Sequence, residues 1–307
     1  MTLPFVSARG TGLAGRNHVA WAMLAPLGLG LLAFALFPAI YVACLSFTKS
    51  TLGQPFKAWI GLANYQWLLA GGDRIFVPSL LRATLFSVAV SLAELALGLW
   101  LAVLLASSRR SGGRLVRSVL LLPLMTPPVL VGVAWKLLLA PGGGLINGEL
   151  MSLGLIDAPV SFLGTTPWAL ISVMVADIWQ WTPFVTLLAY AALLQVPDDV
   201  VEAAMLDGAR PSAVFWQIQL PLTVHLLLAI FALRLIMAFK VFDLVYILTF
   251  GGPGNATDMS GFAIWRTGLR EFDVGMASAQ TVLFAILVSI VLLPLLHLHR
   301  RVEERAS

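Results

Sequence analysis

Six long apolar runs constrain the fold of this chain more than any other feature of its sequence. They lie at about residues 19–45, 82–106, 118–140, 167–194, 222–250 and 274–298. Each run has enough residues to cross a hydrocarbon layer roughly 30 Å thick as an α-helix. Only 11% of the residues are charged, whereas about a quarter of an ordinary soluble domain is charged. The sequence therefore predicts an all-α integral membrane protein with six transmembrane helices in one domain, residues 19–298.

The basic residues predict on which side of the membrane each connector lies. An even number of spans places both termini on one side, together with the connectors at 107–117 and 195–221. Because basic residues are enriched in cytoplasmic loops, we expect a cytoplasmic N-terminal segment (1–18) and a cytoplasmic tail (299–307). That side carries ten arginines, Arg9, Arg16, Arg109, Arg110, Arg114, Arg117, Arg210, Arg300, Arg301 and Arg305, and the opposite side carries five basic residues, Lys49, Lys57, Arg74, Arg266 and Arg270.

The connector at 195–221 is polar in an otherwise apolar chain, and it predicts two short helices. Residues 198–207 begin with two acids, which are favourable at a helix N-terminus, and continue with good helix formers. Gly208 can adopt the left-handed conformation that ends a helix. A second helix begins at Pro211, which needs no backbone donor in a first turn, and we expect Pro221 to end it.

Two roles are open for this helix pair: it docks on a soluble protein, or it lies on the bilayer as an amphipathic connector. Its charge favours docking, because an acidic surface is repelled by anionic lipid headgroups. The connector has four acids, Asp198, Asp199, Glu202 and Asp207, against one arginine, Arg210.

Seven residues of the connector follow the spacing E-A-A, three residues, G, nine residues, I-x-L-P. They are Glu202, Ala203, Ala204, Gly208, Ile218, Leu220 and Pro221. With this signature the chain resembles the permease subunits of bacterial ABC importers. The rest of the chain is similar to the carbohydrate-uptake branch of maltose, glycerol-phosphate and polyol permeases, in "LLPLMTPPVLVGVAWK" at 121–136, "WQWTPF" at 179–184, "LTFGGPGNAT" at 248–257 and "FDVGMASA" at 272–279.

The resemblance implies a type I importer permease fold in the bacterial inner membrane and a set of partners. These are a second, homologous permease subunit, two ATPase subunits, an extracytoplasmic solute-binding protein and a carbohydrate substrate, with membrane lipid around the chain and no nucleic acid. It also implies that the connector is a coupling helix seated in a cleft of an ATPase subunit. The residues of that helix are Glu202, Ala203, Ala204, Met205, Leu206, Asp207 and Gly208.

We expect no catalytic site and no cofactor or metal in this chain. None of its four lysines is preceded by the glycine of a phosphate-binding P-loop. ATP and Mg²⁺ are accordingly expected on the partner ATPase subunits.

Three ionisable residues lie near the middle of the predicted spans. Glu94, Asp177 and Arg234 are each ten to twelve residues from the start of their run, which is roughly 15 to 18 Å deep in a helix. Charges at such depth are costly, so they face a partner or an aqueous path. Their similar depths allow a mutual ion pair, either as a structural link between spans or as part of a substrate site or gate.

A sugar site combines hydroxyl-bonding groups with an aromatic face, because the ring stacks on its apolar side. The sequence offers one rich cluster of this kind, Trp179, Gln180, Trp181 and Thr182, with Phe239, Asp243 and Gln280 as further candidates for the substrate pathway. The alternative is aromatic packing beside a helix break at Pro183.

Paired prolines predict the shape of the third apolar run. Prolines 127 and 128 lie inside the third run and predict a kink or an unwound turn, which is either a hinge or a static bend.

The segment "WIGLANYQWLL" predicts a short interfacial helix with Trp59, Tyr65 and Trp67 at headgroup level. Lys136 and Lys240 lie near the outer ends of their runs with Asp243, where they either snorkel outward or line the mouth of a passage.

Two other functions are compatible with a polytopic membrane protein. In an ion-coupled secondary transporter, Asp177 and Glu94 would carry protons, but the signature connector would have no explanation. An intramembrane enzyme would need a paired catalytic motif such as H-E-x-x-H, which the sequence lacks.

Overall fold

The computed structural model describes residues 23–107 and 112–306, and within these the side chains of 107, 112–117, 305 and 306 are left undescribed. The predicted N-terminal segment (1–18), the first residues of the first span and Ser307 therefore lie outside the described residues. So do Arg9, Arg16, Arg109 and Arg110, together with the side chains of Arg114, Arg117 and Arg305.

The described chain is built mostly from helices, and five of them are long and apolar enough to cross a membrane. A sixth crossing results if two shorter helices that meet at a 96° bend form one broken span. The five are α1 (Met23–Leu45), α3 (Phe76–Ser107), α7 (Thr166–Leu193), α9 (Pro211–Phe239) and α12 (Val274–Ala306), and the bent pair is α4 (Gly112–Met125) with α5 (Pro128–Leu138). Short helices lie in the connectors: α2 (Ala63–Leu69), α6 (Leu145–Ser152), α8 (Asp198–Leu206), α10 (Asp243–Leu248) and α11 (Ser260–Trp265).

The break between α4 and α5 confirms the kink predicted from the paired prolines. Pro127 adopts an extended conformation with ψ 139°, as expected for a residue that precedes another proline. Because neither proline has a backbone N–H, the helical hydrogen bonds stop at Thr126 and begin again at Val131, which donates to the carbonyl of Pro127. The predicted third run is thus a sharp corner.

The prediction that a second connector helix ends at Pro221 is wrong. Helix α9 begins at Pro211 and continues through Pro221 to Phe239. A wider π-turn at Phe215–Gln219, closed by the N–H of Leu220 on the carbonyl of Phe215, lies just before the proline. Such a turn opens the hydrogen-bond ladder where the proline ring would otherwise clash. The second half of the connector, from Pro211, and the fifth span therefore form one helix.

The fifth apolar run, predicted to continue to residue 250, is interrupted before that point. Helix α9 ends at Phe239, and Lys240 is exposed at the break that follows. Helix α10 then begins at Asp243. A charged residue on each side of the break is consistent with the costs of charge in hydrocarbon, because both lie at the outer end of the helix rather than inside it.

A small antiparallel hairpin, which was not predicted, occupies the first outer connector. Its strands are β1 (Thr48–Thr51) and β2 (Gln54–Trp59). Trp59, which was expected in an interfacial helix, therefore lies in a strand, and the helix is limited to α2. The Asn64 side chain on α2 donates to the carbonyls of Ser46 and Thr48 at 2.9 and 3.2 Å, which fixes the hairpin to this helix.

The core of the described chain lies where α3, α7 and α9 pack together, with α12 against α9 and α1 on the outside of α12. Helices α3 and α7 approach closely at Gly98, where an added Cβ would stand 2.8 Å from Cγ1 of Val185 and 3.0 Å from the Thr186 nitrogen. Small residues allow membrane helices to pack at this distance. The same three helices carry the predicted midplane charges.

Candidate functional site

The connector folds as a short helix, a glycine turn and the start of α9. Asp198 and Asp199 lie in the first turn of α8, where the helix dipole favours acids. Gly208 has φ +86°, and the N–H of Ala209 donates to the carbonyl of Ala204 across the turn. This left-handed glycine ends α8 as the sequence predicts.

Helix α8 is a projecting surface, since none of its residues is buried in this chain. Leu206 is 89% exposed and Met205 is 49% exposed. Exposed large apolar side chains on a polar helix are typical of a surface that contacts another protein or the membrane. Glu202, Ala203, Asp207 and Gly208 are exposed with them, and Ala204 is half-buried.

The second half of the connector is mechanically continuous with the membrane core. From Pro211 to Arg234 the chain is one helix apart from the π-turn, which spans roughly 35 Å at 1.5 Å per residue. One helical element thus joins the connector to the middle of the span.

The three midplane charges meet, as the sequence predicted. The Arg234 Nη2 donates to Glu94 Oε1 at 2.8 Å, and the guanidinium also pairs with Asp177. Side-chain exposure is 1% for Arg234, 0% for Glu94 and 4% for Asp177. The indole of Trp181 stacks on the guanidinium at 5.3 Å. The cluster is enclosed within this chain and links α3, α7 and α9.

The four consecutive candidates at 179–182 are not gathered on one face. Trp179 is 46% exposed and meets Trp135 edge to face, while Trp181 faces Arg234. The Gln180 amide is buried and donates to the carbonyl of Thr126 at 3.1 Å, at the corner between α4 and α5. The hydroxyl of Thr182 donates to its own helix at Ile178. Among these four, only Trp179 presents a large exposed face.

The remaining pathway candidates lie at three separate places. Phe239 is 2% exposed and packs on Phe284. Gln280 is fully buried and donates to Asp73 Oδ2 at 2.9 Å. Asp243 begins α10. Phe239 and Gln280 therefore stabilise the chain itself and do not face open space.

An ion cluster that sequence reasoning missed joins α3 to the chain segment that follows α10. Arg266 Nη1 lies 2.5 Å from Asp258 Oδ2, and Arg82 Nε donates to the Asp258 carbonyl at 3.1 Å. Burial raises the pKa of the Asp258 carboxyl, while Arg266 and Arg82 oppose that shift. Asp258 and Arg266 are eight positions apart, but Arg82 is 176 positions from Asp258, so no local pattern could have placed all three together.

An aromatic cluster beside this ion cluster was missed as well. Its rings are Phe242, Tyr246, Phe250, Phe262 and Trp265, with centroids 5.2 to 6.4 Å apart. Lys136 is nearby in the fold, since its Nζ donates to the carbonyl of Ile247 in α10. Within residues 23–107 and 112–306 no group of three His, Cys, Asp or Glu residues could hold a metal ion.

Comparisons with known proteins agree with this geometry. Residues 94–307 match the family model described as "Binding-protein-dependent transport system inner membrane component". The chain is 36% identical over 271 residues to the trehalose/maltose transport system permease protein MalF of Thermococcus litoralis, covering 87% of this chain and 89% of that one. It is 31% identical over 288 residues to the trehalose transport system permease protein SugA of Mycobacterium tuberculosis, covering 93% and 89%.

The fold also matches a solved structure. A bacterial alginate ABC transporter, in complex with a periplasmic protein that holds an alginate pentasaccharide, contains a chain that superposes with a TM-score of 0.81. The match covers 94% of this chain and 96% of that chain at 23% sequence identity. At that identity the likeness establishes the fold alone.

Proposed function

The chain belongs to the family of binding-protein-dependent transport system inner membrane components, and from this we propose that it is the permease subunit of an ABC importer for a sugar, polyol or related carbohydrate. The carbohydrate class is supported by the two relatives described above, whose names specify trehalose or maltose. Because this chain has no P-loop lysine, ATP and Mg²⁺ would bind to separate ATPase subunits.

The observation that carries the proposal is the exposed helix α8, joined by a glycine turn to a helix that reaches the membrane core. Its uncovered Met205 and Leu206 and its acids suit a cleft in a soluble partner. Glu202 would pair with a basic group of the ATPase, and Gly208 would permit the bend. Closure of the ATPase subunits would then move α8 and, through α9, rotate the spans.

The other partners follow from the same proposal. A second, homologous permease subunit would complete the passage, and an extracytoplasmic solute-binding protein would deliver the carbohydrate. Both termini, residues 1–18 and 299–307, would lie in the cytoplasm with the connector, in line with the excess of basic residues on that side. The membrane domain would run from residue 19 to 298.

Ion-coupled secondary transport is not favoured. The family to which the chain belongs is described by transport that depends on a binding protein. The side chains of Glu94 and Asp177 are enclosed, so no open path for protons reaches them in this chain.

Two substitutions in the connector test the coupling role in the assembled transporter. Gly208→Val forces a branched side chain into a left-handed conformation, and Glu202→Lys reverses the charge of the docking surface. We expect each to lower ATP-driven uptake about tenfold or more, a barrier change of roughly 1.4 kcal/mol or more, while membrane insertion persists.

Matched controls exist in an outer connector. Gly143 has φ +84° and, like Gly208, nothing within 4 Å of an added Cβ; Glu149 is exposed as Glu202 is. Gly143→Val and Glu149→Lys should leave ATPase association unchanged. Normal uptake in both connector variants would contradict the coupling role.

A further inference from the structure

The midplane cluster contains more acidic groups than basic groups. It combines two carboxyl groups, Glu94 and Asp177, with one guanidinium, Arg234, and all three side chains are at most 4% exposed. If both carboxyls were ionised, the cluster would carry one uncompensated negative charge at a depth where charge is most costly.

The helices that carry the cluster supply no second cation. On α3, Arg82 is twelve residues before Glu94, roughly 18 Å away along the helix, and it is bonded to the Asp258 carbonyl. On α9, Lys240 is exposed beyond the end of the helix. His225 lies nine residues before Arg234 on α9, roughly 14 Å away along the helix.

The described side chains of the neighbouring helices supply none either; Arg114 and Arg117 of α4 are outside that set. Between Val274 and Leu296, α12 has no ionisable side chain, and α11 has none along its length. Lys136 on α5 is bonded at the outer end to the carbonyl of Ile247. On α7, besides Asp177 itself, the side chain facing Arg234 is the uncharged ring of Trp181. Among the described residues, the ion pairs of Glu94 and Asp177 are both with Arg234.

Both carboxyl groups approach the same nitrogen, Nη2 of Arg234, so the two groups lie close to each other. Two ionised carboxylates side by side in a buried site repel each other, which favours a state in which one of them is a carboxylic acid. One proton would relieve this repulsion and cancel the excess charge at the same time.

We propose that the Glu94–Asp177–Arg234 cluster is a proton-binding site that holds one resident proton, shared between the two carboxyls. A single negative charge then faces the guanidinium, and the cluster is neutral as a whole. The proton is bound and not transported, because all three side chains are closed off within this chain. The inference concerns the charge state of the core and does not depend on the cargo.

Amide substitutions, each of which removes one carboxyl group, test the proposal in the full chain assembled with its partner subunits. Glu94→Gln or Asp177→Asn removes one carboxyl and leaves one negative charge for Arg234. Each single variant should assemble and transport within about threefold of the unaltered complex, whereas the double variant leaves a buried guanidinium unpaired and should lose at least about tenfold of its assembled complex.

Asp258→Asn is the matched control. Asp258 is also a fully buried carboxyl, but it has a cation of its own, Arg266, while Arg82 donates to its backbone carbonyl. Removing its charge leaves Arg266 with only Glu271 at 3.8 Å, so the single amide variant at Asp258 should lose more of its assembled complex than either midplane single variant.

Infrared spectroscopy detects a protonated carboxyl group directly. An ion cluster with a purely structural role and no bound proton would give no such signal. The unaltered complex at neutral pH should show the carbonyl band of a buried carboxylic acid, and both Glu94→Gln and Asp177→Asn should lose that band. The proposal is overturned if the band is the same in wild type and both variants, if either single variant fails to assemble, or if either one assembles but loses uptake.

Discussion

Gln180 shows how one side chain stabilises a broken span. Its amide is buried and donates to the carbonyl of Thr126, a residue at the corner where two prolines interrupt the helical hydrogen bonds. An unsatisfied carbonyl within a membrane is costly, so this bond allows the sharp turn between α4 and α5 to persist.

We therefore expect Gln180→Leu to destabilise the assembled protein by about 1–2 kcal/mol. Thr182→Val is the control, because the Thr182 hydroxyl donates a hydrogen bond to the carbonyl of Ile178 within its own helix and does not link two helices. Thermal unfolding in detergent compares the two variants. Equal midpoints for the leucine and valine variants would show that the bond to Thr126 contributes nothing.

At the scale of elements, the close contact of α3 with α7 is the joint that brings Glu94 next to Asp177. Gly98 makes this approach possible, since an added Cβ would meet Val185 and the backbone of Thr186. Gly98→Val should force the helices apart and cost about 1–3 kcal/mol as overpacking does.

Gly28→Val in α1 is the matched substitution, because nothing lies within 4 Å of its added Cβ. The measurement is the thermal midpoint and the fraction of assembled complex after solubilisation. If the two glycine variants lose stability equally, the effect comes from helix propensity and not from the α3–α7 contact.

The elements also show where sequence reasoning succeeded and where it failed. The apolar runs and the prolines at 127 and 128 act locally, so the helices and the corner could be predicted. The continuity of α9 through Pro221 could not, because it depends on a π-turn at Phe215–Gln219 that has no clear sequence signal.

At the scale of the whole molecule, contacts between residues far apart in the sequence determine which side chains meet. Most of these contacts could not be predicted from the sequence. The ion pairing of Glu94, Asp177 and Arg234 was one arrangement that the sequence allowed, because the three residues lie at similar depths. The bond from Gln180 to Thr126 joins residues 54 positions apart, and spacing along one helix gives no hint of it. The bond from Arg82 to Asp258, 176 positions away, was missed for the same reason.

In the proposed function, the chain is a passage whose energy enters at α8 from another polypeptide. A direct test is the accessibility of one position on that helix, Leu206, which is 89% exposed. With the native thiol removed by Cys44→Ala, Leu206→Cys can be labelled in inverted membrane vesicles by a thiol reagent that does not cross membranes. Leu153→Cys, at a 69% exposed position of an outer connector, is the control.

The account predicts that Leu206→Cys reacts when the chain is without its ATPase subunits and is protected when they are bound. Leu153→Cys should react only after the vesicles are permeabilised, with or without the ATPase subunits. Equal labelling of Leu206→Cys in the presence and absence of the ATPase subunits would contradict the central claim.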